Sequence, residues 1–325
     1  MTVSLRWGVL GTGHIANRFS GQVAALGGRA RLQSVGARDP ARAREFAVLH
    51  GFARAGSYED VLADPQVDAV YVSLLNRDHA RWCIAAARAG KHILCEKPAA
   101  LHAGELDAML AAARGSGVRF VEAFAYRFHP RWRALLRLLP EIGGPTVAHG
   151  AFCFHAGSPP KGRLLDAVGG GALMDVGCYP LSWLIGLLGA PTRLACTARL
   201  AGTGVDLAAA VGLEFAGGSV AQALCACDTA TPQRAWIAGP QGVIEVDEPF
   251  RNRPGAGMRL LRGDEVREIT WNDDGLELYA REALAMAGCD ADGSHPAMSW
   301  ADSRALAGAI DACRSQAGVR WPGES

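Results

Sequence analysis

Glu96-Lys97-Pro98 closes the apolar run His92-Ile93-Leu94-Cys95 and sets an ammonium group where a strand ends. Lysine at that place is a candidate acid or base, because ligands of parallel α/β sheets collect in the crevice beyond the carboxyl ends of the strands. Near the start of the chain, Gly11-Thr12-Gly13-His14-Ile15-Ala16 follows an apolar run and opens a helix-like stretch. This G-x-G-x-x-A spacing suits dinucleotide binding. Gly11 permits a tight turn, Gly13 lets the backbone approach a pyrophosphate, and Ala16 lets helix and strand pack closely. Unpaired N–H groups at the helix start then face the phosphates. A third candidate is Gly169-Gly170-Gly171 followed by Asp175 and Tyr179. On a helix these two would share a face, although Pro180 would clash with the carbonyl of Val176 and kink the segment. The same residues also read as a loop leading into an apolar helix from Leu181 to Leu188, with Asp175 as a cap and Tyr179 in the core.

The end of the second strand decides which dinucleotide fits. There an acidic side chain would bind the ribose hydroxyls of NAD. The strand instead ends in Ala37 and is followed by Arg38. A small residue leaves room for a 2′-phosphate, and a guanidinium can bind it bidentately. This favours NADP over NAD, with Asp39 open to two roles: a ribose ligand or a helix cap ahead of Pro40.

The elements that must position these residues follow from the pattern of apolar runs. Candidate strands Arg6–Leu10, Arg31–Ala37, Ala69–Leu74, His92–Cys95 and Arg119–Ala123 alternate with helical stretches around His14–Leu26, Pro40–His50, Tyr58–Ala63, His79–Ala89 and Ala103–Ala113. Strand and helix in alternation predict a parallel α/β sheet. After Pro130 the strand-like runs Thr192–Leu200, Leu207–Phe215, Ser219–Ala226, Arg234–Ala238 and Val243–Val246 follow one another through short turns, with Gly217-Gly218 as a hairpin signal. Closely spaced strands predict a mostly antiparallel sheet. The expected division is a dinucleotide-binding domain over 1–124 and an α+β substrate-binding and oligomerisation domain over 125–325. Helical stretches Leu276–Cys289 and Met298–Ser315 end the chain.

Composition limits the partners. The 325 residues carry a formal net charge of +1 without a basic stripe, so neither nucleic acid nor an anionic membrane is expected. No apolar stretch reaches membrane-spanning length, and the chain opens almost directly on a strand with no room for a signal peptide. Nine scattered cysteines without CxxC pairs read as reduced thiols of a cytoplasmic protein, with no metal site.

Taken together, the motifs resemble the glucose-fructose oxidoreductase/inositol dehydrogenase (Gfo/Idh/MocA) family of NAD(P)-dependent oxidoreductases. The resemblance extends through Asn76, His79, Glu96-Lys97-Pro98, the stretch from Val121 to Pro130 and the Asp175/Tyr179 segment. Tyr126-Arg127-Phe128-His129-Pro130 and a tyrosine at 179 are most similar to the branch with dimeric dihydrodiol dehydrogenase, D-xylose dehydrogenase and glucose-fructose oxidoreductase. The family implies a Rossmann domain of doubly wound parallel sheet, then a domain whose large open sheet often forms a dimer interface. A homodimer, or a dimer of dimers through the C-terminal sheet, is therefore expected. Leu75 stands where the family commonly has proline.

The resemblance also implies roles. Lys97 and Tyr179 match residues beside the reacting carbon, and Asp175 matches one that holds the substrate. Removing a hydroxyl proton needs a base, and tyrosine, with a free pKa of about 10, needs a nearby ammonium to serve near neutrality. Tyr179 is thus the expected acid/base, Lys97 its activator and Asp175 an orienter. The implied cofactor residues are Gly11, Thr12, Gly13, His14, Ile15, Ala37, Arg38, Leu75, Asn76, His79, Glu96, Lys97 and Arg127. His155, Lys161 and Arg163 lie in a loop that differs between family members and are candidate substrate contacts; His129 reads as a domain-junction residue. The expected activity is an NADP-dependent aldose-type dehydrogenase acting on a secondary alcohol or hemiacetal of a sugar or polyol. A nucleotide-sugar ketoreductase, a trans-dihydrodiol dehydrogenase and a non-catalytic cofactor-binding sensor are the alternatives.

Overall fold

The computed structural model describes residues 4–157, 160–251, 253 and 255–322. The chain forms two compact units, 1–128 with 274–300 and 129–273 with 301–325.

The first unit alternates β1 (Leu5–Leu10), α1 (His14–Ala24), β2 (Ala30–Gly36), α2 (Pro40–His50), β3 (Arg54–Gly56), α3 (Tyr58–Ala63), β4 (Ala69–Val72), α4 (His79–Arg88), β5 (His92–Glu96), α5 (Ala103–Gly115) and β6 (Phe120–Ala123). Its six strands lie in the order β3-β2-β1-β4-β5-β6, all parallel. Helices cover both faces of such a sheet, so its strands are buried throughout, as Ala69 to Val72 are, and read as unbroken apolar runs. Strand order reverses between β1 and β4, where ligands of open α/β sheets bind. Asp39 caps α2, its carboxylate accepting from the Ala41 amide at 2.8 Å.

The second unit holds α6 (Pro130–Leu138), β7 (Val147–Cys153), α7 (Cys178–Leu188), β8 (Pro191–Leu200), β9 (Asp206–Phe215), β10 (Val220–Ala226), β11 (Arg234–Gly239), β12 (Gly242–Asp247), β13 (Met258–Arg262) and β14 (Glu265–Glu268). These eight strands form one sheet in the order β14-β13-β12-β11-β7-β10-β9-β8. Only β7 and β10 pair in parallel; the remaining pairs are antiparallel. His129 caps α6 by accepting from the Arg131 amide at 3.1 Å, and it stands at the boundary between the units.

The chain then departs from a simple two-domain order. Residues 274–300, with α8 (Leu278–Ala285), cluster with the first unit rather than with 125–325. An edge strand exposes unpaired backbone groups that need partners. Here Gly293 accepts from the Phe120 amide at 3.0 Å and Trp300 Nε1 donates to the Phe120 carbonyl at 2.9 Å, so the returning segment covers β6. Gln22 of α1 receives the Tyr279 amide at 2.8 Å. From Ala301 onward α9 (Trp300–Ala317) belongs to the second unit. Its Gln316 accepts from the Cys196 amide at 2.8 Å and donates to the Leu194 carbonyl at 3.1 Å, tying it to edge strand β8. All nine cysteines are free thiols. Among the described residues no helix is long and apolar enough to cross a membrane, and no cluster of His, Cys, Asp and Glu could hold a metal ion.

Candidate active site

The cofactor side is built by the turn between β1 and α1. Gly11 has φ +112°, and a Cβ there would lie 2.9 Å from the Ser73 carbonyl, so only glycine fits. Its amide donates to the Gly36 carbonyl at 2.9 Å, fastening the turn to β2. A Cβ on Gly13 would meet no protein atom within 4 Å, so packing does not demand glycine there, and the open space suits a close backbone approach to a phosphate. The amide of Asn17 is the first to bond back, to the Gly13 carbonyl at 2.9 Å, which leaves the start of α1 to serve an anion. Thr12 and Ile15 are half-buried, His14 is exposed, and Ala16 is buried against the sheet. Ala37 is buried and Arg38 exposed at the end of β2. Burial pushes the Tyr58 hydroxyl up, while the hydrogen-bonded Arg38 guanidinium pulls it down. Tyr58 in turn meets Trp82 edge-on at 4.9 Å. A small residue, a guanidinium and this aromatic pair fit an adenosine 2′-phosphate.

Lys97 sits half-buried at the end of β5 on a tightly held turn. Its amide donates to the Glu96 carboxylate at 3.2 Å, and the same carboxylate accepts from the Tyr71 hydroxyl. Past Pro98, the Ala99 amide donates to Glu122 at 2.9 Å. His79 completes the clamp. It is fully buried, with Nδ1 3.1 Å from the Pro98 carbonyl and Nε2 3.2 Å from that of Leu74, and burial holds its pKa below the ordinary value. Both ring nitrogens face backbone, so the structure places His79 as a brace between the β4 and β5 ends. Leu75 and Asn76 are half-buried beside it, in the turn that starts α4. Arg127 is 2% exposed and donates to the Ala297 carbonyl at 3.2 Å and the Tyr126 hydroxyl at 3.3 Å.

In the second unit, residues Leu173–Gly177 form one π-helical turn that runs directly into α7. Pro180 thus follows the π turn within one continuous helical segment, and that widened turn stands where the kink was expected. Tyr179 is half-buried in an aromatic wall: Phe152 of β7 at 5.2 Å and Phe250 at 5.6 Å, these two stacked on each other at 5.5 Å. The Arg251 guanidinium lies 4.8 Å over the Phe152 ring. Asp175 receives a hydrogen bond from Arg163 at 2.7 Å. Two candidates named separately in the sequence, Arg163 and Asp175, thus meet. Lys161 and His155 are exposed, and His155 Nδ1 accepts from the Gly157 amide at 3.3 Å. Ser158 and Pro159 of the same loop lie outside the described residues. Sequence reasoning missed Phe152 and Phe250, which reach Tyr179 from elements that share no motif with it, and Arg251, which lies over Phe152.

Two family models match the chain. Residues 5–124 match the Gfo/Idh/MocA "Oxidoreductase family, NAD-binding Rossmann fold", and 139–245 match the "GFO/IDH/MocA C-terminal domain". The chain is 31% identical to trans-1,2-dihydrobenzene-1,2-diol dehydrogenase of Mus musculus over 98% of its length and 99% of the relative's. It is 34% identical to D-xylose 1-dehydrogenase (NADP(+)) 2 of Haloferax volcanii, covering 95% of this chain and 96% of that one. Its fold matches a 3-ketoreductase of Actinomadura kijaniata, solved with NADP and TDP-benzene, with a TM-score of 0.87 at 27% identity over 97% and 98% of the two chains. The chain belongs to the Gfo/Idh/MocA family of NAD(P)-binding oxidoreductases.

Proposed function

We propose that the protein is an NADP-dependent dehydrogenase or reductase of a secondary alcohol or hemiacetal carbon in a sugar-like or polyol substrate. The observation that carries this reading is the start of α7, where Asp175 and Tyr179 stand four residues apart in one helical segment. NADP, when bound, accepts or returns the hydride. The chain's own residues handle the proton and the geometry. Tyr179 takes the hydroxyl proton during oxidation and gives it back during reduction. Lys97 supplies positive charge for the substrate oxygen on the cofactor side. Asp175 accepts from a neighbouring substrate hydroxyl, and the rings of Phe152 and Phe250 support Tyr179 and exclude water. The preference for NADP rests on Ala37 and Arg38, and a relative named for NADP(+) supports it.

A nucleotide-sugar ketoreductase is the second reading. A diphosphate needs paired cations, and in this loop Arg163 is committed to Asp175; this favours an uncharged sugar. A homodimer or dimer of dimers through the eight-stranded sheet, acting in the cytoplasm, completes the proposal. Val147 and Val220, paired between β7 and β10, leave exposed apolar surface on that sheet.

Replacing Tyr179 by Phe tests the site. Turnover should fall by about two to four orders of magnitude with NADP affinity kept. Unchanged turnover on sugars, cyclic diols and nucleotide sugars that the parent enzyme oxidises or reduces would sink the assignment.

A further inference from the structure

The glycines ahead of the π turn invite a ligand in the sequence, but the structure wraps them around a side chain of the protein itself. Gly171 has φ +97°, and a Cβ on it would lie 2.2 Å from Oδ1 of Asp206, the first residue of β9. Asp206 is 1% exposed, and its Oδ2 accepts from the Leu173 amide at 2.7 Å. The amides of Ala172 and of Asp206 itself also favour its charged form. Leu173 begins the turn that carries Asp175, and the Asp175 amide bonds back to the Gly171 carbonyl at 3.0 Å. One carboxylate therefore grips the start of the helical segment 173–188, where amides lack partners and a negative charge is favourable.

Burial opposes that charge and pushes Asp206 up to about 6. Arg314 of α9 is the cation that helps to keep it ionised. The other titratable groups that feel it are the thiols of Cys196, Cys225, Cys227 and Cys313, the last three pushed up chiefly by burial or, for Cys313, by its bond to Cys196. An ionised carboxylate in such surroundings costs stability, and its return is a fixed geometry for the residues beyond it.

We propose that the ionised carboxylate of Asp206 is a positioning residue for the reaction: its hold on the Leu173 amide sets where Asp175 and Tyr179 stand, and protonating it loosens the start of their helix. The proposal deepens the function above and rests on the roles given there to Asp175 and Tyr179. A protonated carboxyl is a much weaker acceptor than a carboxylate, so the grip is lost in mild acid while the sheet beneath remains.

Amide hydrogen exchange on the full chain, read by mass spectrometry at about pH 5 and about pH 8 and corrected for intrinsic rates, tests the anchor directly. Peptides across 169–178 should lose about tenfold or more of their protection at the lower pH, with β7 and β10 unchanged. Equal protection at both pH values overturns the proposal. Asp206→Asn should exchange rapidly across 169–178 at both pH values and keep NADP affinity. Its turnover should fall about tenfold to a hundredfold, and it should lose the acidic limb of the parent's pH profile. An Asn variant with full turnover and the parent's limb also overturns it. If that variant does not fold, the parent's exchange decides alone. A fully active Tyr179→Phe removes the site reading but leaves the exchange result intact, so the two failures are distinct.

Discussion

Arg163 donates to Oδ1 of Asp175 at 2.7 Å, joining a mostly exposed guanidinium to a carboxylate that is only 14% exposed. The two are twelve residues apart, across a turn and the glycine triplet. In the proposed role of Asp175, Arg163 fixes the orientation in which that carboxylate would meet a substrate hydroxyl. With one partner in solvent the pair contributes on the order of 0.2–1 kcal/mol, so Arg163→Ala should raise KM for the sugar about two- to fivefold and lower kcat less. Arg163→Lys should recover only part of the loss, because a point charge does not reproduce the guanidinium fork. Steady-state kinetics at saturating NADP read both numbers, and an unchanged KM in the Ala variant would show that Asp175 needs no such support.

The cofactor preference has its own test at Arg38, which follows buried Ala37 and bonds to Tyr58. A charge-assisted contact to a phosphate contributes about 1.5–3 kcal/mol. Arg38→Ala should therefore weaken NADP about tenfold to a hundredfold and leave NAD nearly untouched. Fluorescence titration with each cofactor measures this; equal losses would mean that Arg38 does not read the 2′-phosphate.

The legible parts of the chain are those whose physics is local. Strands β1, β4 and β5 are buried on both faces, so their apolar runs announce them, and Asp39-Pro40 announces the start of α2. Strand β3 is three residues long and mostly exposed, and it leaves no such trace. β7 lies inside the second sheet, but glycine at 150 interrupts the pattern that would reveal it. Helical periodicity around Tyr279 correctly indicates α8 without saying which core it joins; that depends on β6 needing a cover. The same limit applies to the site. Gly11, Gly13, Lys97, Asp175 and Tyr179 belong to motifs, whereas Tyr179 is supported by Phe152 and Phe250 and the turn before it by Asp206, thirty-three residues from the Leu173 amide it holds. Pairings across such separations are written in the tertiary fold alone.

The helix that returns to the first unit also brings a buried acid, and its effect on stability has a definite sign. Glu282 of α8 is 1% exposed, and neither carboxyl oxygen has a hydrogen-bond partner among the described residues. Burial, and then the charge of Glu96, raise it well above its ordinary value of 4.5. The folded chain therefore binds a proton that the unfolded chain releases once the pH passes about 4.5. Below that pH both states are protonated and Glu282 contributes no slope. Above it stability falls as pH rises, until the raised folded value is passed and the loss is complete. Glu282→Gln is neutral at every pH and nearly the same size. Its melting temperature should exceed the parent's by a margin that widens from about pH 5 to about pH 8, as scanning calorimetry would show. Parallel curves for the two proteins across that range would mean that Glu282 is already ionised in the folded state, with its charge met by a partner.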